Sequence, residues 1–272
     1  MDGTHTLGET SKSSTVTQHT FQDLPNELAL AIFSLLELKS YIVLHGVCKK
    51  WKQLLPSADI HPIRRRMFNL FHHMLQHPRF PETRQWTLKN LRPFDRKAYI
   101  DGLLSKYRAV PDEFRLWILE WPARMVPFGM WPGLPFACHQ ENTLDEAYGM
   151  NYLAYRMEDN SPGYFKVLHR HPSQEDRWLP ALLFWKINYG ASWLIFEHGD
   201  PDVFGRVMVS GDEVLHYFVL TMQPLAPGEA EHHQTYRDWL VFREHTWDKQ
   251  IAMALANEEK ECIGSSDIEP LL

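Results

Sequence analysis

From Phe21 to Leu55 the chain carries more large apolar side chains than a segment of that length can hide, and this constrains it more than any other feature. Pro25 suits the first turn of a helix, where a missing N–H leaves no hydrogen bond unmade. Leu28, Ile32, Leu35 and Leu36 recur at helical spacing and are expected to share one face. Ser40 is placed to cap a second helical stretch, in which Tyr41, Leu44, Val47, Cys48, Trp51, Leu54 and Leu55 form another apolar stripe. Two or three short helices are predicted. A unit of about 35 residues rarely builds a sufficient core unless disulfides, metal or a partner contribute. Cys48 is its sole cysteine and no metal-ligand cluster accompanies it. A partner protein is then the remaining cover, although a plain helical hairpin packed on its own chain would show the same spacing.

The run Leu24-Pro25-x-Glu27-Leu28-x-x-x-Ile32-Phe33, followed by Val47-Cys48-Lys49-Lys50-Trp51, resembles the F-box over residues 20–57. Gly46 departs from the family pattern and is expected to loosen the second helix. By that resemblance Leu24, Pro25, Leu28, Ile32, Leu36, Leu44, Val47 and Trp51 match positions that bury against the Skp-type adaptor of a cullin-based ubiquitin ligase, or support that contact. The resemblance implies a substrate-recognition subunit of an SCF-type ligase. Such a subunit contributes proximity, has no cofactor and no active site, and leaves the chemistry to other subunits.

The net charge of −6 gives no general electrostatic case for nucleic acid or for an anionic membrane. Cys48, Cys138 and Cys262 are far apart and odd in number, which argues for a reducing compartment. Met1-Asp2-Gly3-Thr4-His5 has neither the basic nor the apolar region of a secretory leader. The best apolar run, Ala181 to Phe196, is interrupted by Lys186, Asn188 and Gly190 and is not expected to span a bilayer. A cytoplasmic or nuclear protein is expected.

The order of elements predicts an α+β fold. Residues 1–19, rich in Thr and Ser, are expected to be a flexible tail. Residues 58–97 read as a basic helical connector, with a helix from Ile63 to Leu75 that places Met67, Leu70, Phe71, Met74 and Leu75 on one side. Arg64, Arg65 and Arg66 open that helix, and basic residues continue to Lys97 with Trp86 among them. Such a stretch can contact nucleic acid, but no recognised motif accompanies it, and a solvated face or a patch that answers acidic residues elsewhere is the expectation. Residues 98–256 read as the second domain. Tyr99, Leu103, Leu104 and Tyr107 form one helical face, and Phe114, Trp117 and Ile118 form another after Pro111. Strands are predicted at 152–157, 165–169, 181–187, 192–196, 205–210 and 214–220, with tight connections at Asn188-Tyr189-Gly190 and Ser210-Gly211-Asp212. A closing helix is expected from Thr235, its capping residue, to Ala256, followed by an acidic flexible tail over 257–272.

Within this region Val110-Pro111-x-Glu113-Phe114-x-x-Trp117-Ile118, Trp193-Leu194-Ile195-Phe196 with Phe204-Gly205-Arg206-Val207, and Tyr236-x-x-Trp239-Leu240 resemble the SUKH superfamily over residues 98–245. Residues 131–180 look like an insertion. That resemblance implies a protein-binding scaffold.

His198-Gly199-Asp200-Pro201-Asp202 sets an imidazole and carboxylates in one turn, as a hard-cation or acid–base site would, and as ordinary turns also do. The pairs His72-His73, His169-x-His171 and His232-His233 lack the thiolates that structural zinc usually recruits, so no metal is expected. Cys138-His139 are adjacent, which rarely presents a thiolate to its base. The alternative to an adaptor subunit is a small-molecule or metal-dependent hydrolase in the second domain. A further alternative is an F-box that pairs with its adaptor outside any ligase.

Overall fold

The computed structural model describes residues 24–138, 149–157, 163, 165–171, 174–187, 190–210, 219–221 and 233–265. Three short helices form a head: α1 (Asn26–Ser34), α2 (Leu38–Val47) and α3 (Lys49–Leu54). The head's own core gathers Ala29, Phe33, Tyr41, Leu44, Trp51 and Leu55 with Ala58 and Ile60. Phe33 meets Trp51 edge-on at 5.9 Å, and the Tyr41 hydroxyl donates to the Phe33 carbonyl. The inward face of α1 is therefore Ala29 and Phe33, while Leu28 and Leu35 point outward. Leu28 and Leu35 thus lie on the outer side of the head, with Ile32 and Leu36 at its margin, because the large Phe33 ring takes the inward place between Tyr41 and Trp51. The second stripe also divides. Cys48 is extended (φ −157°, ψ 162°), which ends α2 and starts α3, and Val47 is left outside the core.

The body begins at α4 (Pro62–Gln76) and continues through α5 (Gln85–Asn90), α6 (Arg96–Leu104) and α7 (Asp112–Glu120). Pro62 opens α4, as expected for a ring that fixes φ and lacks a donor. Met67, Leu70, Phe71 and Met74 of α4 enter one continuous core with Phe114, Trp117 and Ile118 of α7. The segment read as a connector is thus packed into the same core as residues 98–256. Its prolines divide the helices without removing their apolar faces. Leu75 and Leu104 stay exposed, at the margin of their helical stripes.

Among the described residues the sheet has eight strands. They are β1 (Ala137–Cys138), β2 (Gly149–Asn151), β3 (Phe165–His171), β4 (Gln174–Ile187), β5 (Gly190–Ile195), β6 (Val207–Ser210), β7 (Val219–Thr221) and β8 (His233–Tyr236). The order is β1-β2-β4-β5-β6-β8, with β3 on β4 and β7 on β3. All pairs are antiparallel except β3 with β7. The long strand β4 holds β3 along its first half and β2 near its end, with β5 along the other edge.

The apolar run 181–196 is the β4–β5 hairpin. Leu182, Phe184 and Leu194 face the helices, and Ala181, Leu183, Trp193 and Ile195 face a second, smaller core with Val167 and Met208. Both faces are covered, so the run lacks the apolar–polar alternation of a half-exposed strand.

Several sequence expectations shift. Tyr152–Ala154 is a 3-10 turn after β2, not a strand. The buried Asn151 side chain donates to the Trp131 carbonyl at 2.7 Å, which ties the chain down just before it turns. β1, β2, β3 and the start of β4 fall within residues 131–180. Among the described residues β6 pairs with β5 and β8, and β7 pairs with β3. Thr235 lies in β8, and Asp238 caps the last helix, α8 (Trp239–Ser265), accepting from Leu240 N and Val241 N at 3.0 Å each. The backbone of α8 continues past Ala256 to Ser265. The tail 1–19, the strand positions 214–218 and the residues Asn188, Tyr189, Gly211, Asp212, His139 and His232 lie outside the described residues, as do the side chains of Cys138, His169, His171 and Cys262.

Candidate functional site

The head rests on the body through Leu38 of α2, which is buried in the body's core, and through a polar joint beside it. Glu120, at the end of α7, accepts the Leu38 backbone N–H at 2.9 Å and two bonds from Arg64 Nε, at 3.0 and 2.9 Å. Arg64 Nη2 adds a third at 2.7 Å, and this bonding to Glu120 is the main cause that raises the Arg64 pKa. Arg65 donates to the Ala58 carbonyl, and Arg66 reaches Asp238 at 2.7 Å and Glu113 at 3.6 Å. The arginine run that opens α4 is therefore engaged with carboxylates and a carbonyl of the chain itself.

The outer surface of the head is different in character. Leu35 is 81% exposed, Val43 60%, Leu28 53% and Val47 47%. Leu24, Ile32 and Leu36 are half-buried, and Pro25 is exposed at the start of α1. Isolated exposed apolar residues are ordinary. A concentration of them on α1, α2 and the turn between is the pattern of a surface that another protein covers.

Residues 21–60 match the F-box-like family model. The matched segment takes in every residue that the sequence resemblance set toward an adaptor, and a domain of this kind points to an adaptor-binding role. No curated protein and no solved structure matches the chain.

In the F-box-like segment the singled-out residues fall into distinct environments. Pro25, Leu28 and Val47 lie on the outside. Leu24, Ile32 and Leu36 lie at the margin, with Leu36 packed against the head's core. Leu44 and Trp51 are inside, where they hold Phe33 and Tyr41 and so fix the positions of α1 and α2. Leu35 and Val43 were not among the expected docking residues although both are prominently exposed. Their spacing carried the signal: Leu35 follows Leu28 by two helical turns, and Val43 precedes Val47 by one.

The described members of the other polar clusters are engaged with their neighbours. Asp200 pairs with Arg177 and accepts the Asp202 N–H at 3.1 Å, while the His198 ring lies edge-on to Phe204 at 5.4 Å. His73 reaches Asp248 at 2.8 Å, whereas its neighbour His72 turns to His45. Among the described residues no three His, Cys, Asp or Glu side chains are grouped to hold a metal ion, and no helix is long and apolar enough to cross a membrane.

Proposed function

We infer that this protein is a substrate-recognition subunit of a cullin-based ubiquitin ligase. Its F-box-like head docks a Skp-type adaptor, and the adaptor links it to the cullin. The body, whose residues 98–245 resemble the protein-binding SUKH scaffolds, holds the protein to be ubiquitinated. In this reading the chain has no catalytic residues of its own. It works in the cytoplasm or nucleus by raising the local concentration of a substrate lysine near the conjugating enzyme. The observation that carries the reading is the exposed apolar set Leu28, Leu35, Val43 and Val47 on the segment that matches the F-box-like family.

Co-purification with the adaptor and the cullin tests it. The wild-type chain is expected to recover both. The Leu28→Glu/Val47→Glu variant, changed only at exposed positions, is expected to lose both while keeping its melting temperature. Undiminished adaptor recovery with that variant removes the docking assignment. Adaptor without cullin in the wild-type sample replaces the ligase with a complex of adaptor and this chain alone.

A further inference from the structure

His45 on α2 and His72 on α4 meet where the head rests on the body, with ring centroids 4.3 Å apart and planes tilted by 53°. Phe68 packs edge-on to both, at 5.6 Å from His45 and 4.4 Å from His72. Phe71 lies at 5.5 Å from His72, whose buried Nε2 has no hydrogen-bond partner. This aromatic box accommodates two neutral imidazoles. A proton on either ring would place a cation among apolar faces beside a second ring able to take one.

The charges around the pair do not relieve that cost. α3 contributes Lys52, an ammonium that opposes protonation of both rings. On α4 the neighbouring His73 is occupied with Asp248 of α8, and Arg64, at the start of the helix, holds Glu120 of α7. Among the described residues no carboxylate is paired with His45 or His72.

We propose that His45 and His72 form a proton-operated contact: neutral, they seat α2 on α4, and a proton taken up by either ring drives the helices apart and moves the apolar face that carries Val43 and Val47. The consequence for docking rests on the function inferred above, but the movement does not.

The direction follows from linkage. Burial and then Lys52 hold His45 below the ordinary imidazole value of 6.5, and burial, His45 and Lys52 do the same for His72. Above 6.5 both the seated and the separated states are neutral and the contact has its full strength. As pH falls below 6.5 the separated state binds protons first, so the seated state loses ground, by at most about tenfold per pH unit for each proton. The loss ends once the seated imidazoles are themselves protonated.

Amide hydrogen exchange over residues 38–47 of the full chain, corrected for the intrinsic pH dependence of exchange, reads this directly. Between about pH 7.5 and 5, wild-type protection is expected to begin falling below 6.5, by at most about tenfold per unit for one proton taken up, and to level off where the seated rings protonate. The fall is expected to be absent in the His45→Gln/His72→Phe double variant. A flat wild-type profile, or the same slope in the double variant, overturns the proposal. If the double variant does not fold, NMR titration of the wild-type imidazoles decides, since titration of both rings at or above 6.5 overturns it as well. No adaptor is present in these measurements, so their failure is distinct from failure of the docking test.

Discussion

Glu120 accepts the backbone N–H of Leu38 at 2.9 Å, so the last residue of a body helix caps the first turn of the head's second helix. No side chain at the start of α2 does this. A carboxylate is favourable at the positive end of α2 and unfavourable at the negative end of its own helix α7. Arg64 offsets the second effect. Arg96 also donates to the carbonyls of Ile118, Leu119 and Trp121 at 3.3, 3.0 and 2.9 Å, satisfying the end of α7 with a second cation.

Glu120→Gln should therefore weaken the joint more than the body. The amide keeps an acceptor for Leu38 but loses the charge that holds Arg64. We expect a loss of about 2 kcal/mol. Amide exchange at residues 38–41 should rise more than exchange within β4 and β5. A uniform change across the chain would show that the joint is not a local fastening.

Gly46 lies exposed within α2, and a Cβ placed there meets nothing within 4 Å. Gly46→Ala should stabilise the chain by about 0.5–1 kcal/mol, read as a higher denaturant midpoint with unchanged slope, because alanine has less backbone entropy to lose. A lowered midpoint would mean that α2 needs the glycine's freedom.

Asp238 links stability to acid. Burial disfavours its charge, but hydrogen bonds from Arg66 and from the Val241 N–H outweigh that and hold the carboxyl below the ordinary 3.8. The resulting stabilisation is fully present above the ordinary value and is lost as pH falls through the lower folded-state value. Urea midpoints taken from about pH 5 down to 2 should fall less steeply in Asp238→Asn than in wild type. Asp238→Ala, which also removes the cap of α8, should cost about 1 kcal/mol at neutral pH.

Arg243 is 3% exposed, and its guanidinium lies over the Trp117 ring at 5.2 Å. Its hydrogen bonds are long, 3.3 Å to Met130 Sδ and 3.3 Å to the Pro127 carbonyl, and Nε has no partner. Burial lowers its pKa to about 9. Replacing an unpaired buried cation by an apolar side chain of similar length is neutral to stabilising. Arg243→Met should raise stability by about 1 kcal/mol, or roughly 2–4 °C in Tm. A fall in Tm would show that the contact with Trp117 outweighs the desolvation of the charge.

The sequence carried the local information. Pro25 and Pro62, the helical recurrence of Met67, Leu70, Phe71 and Met74, and the apolar run at 181–187 each reflect a period or a fixed dihedral that neighbouring residues alone impose. The α+β order followed from those elements, and the F-box-like segment was legible because its pattern is short and dense. Only the tertiary structure decided which side of α1 faces inward, since Leu28 and Phe33 are equally apolar and the choice belongs to Tyr41 and Trp51 across the head. It likewise decided that β6 pairs with β8, that Glu120 caps a helix 82 positions away in the chain, and that His45 meets His72. Those relationships join residues distant in the chain, and burial and charge fix them only after the chain has closed on itself.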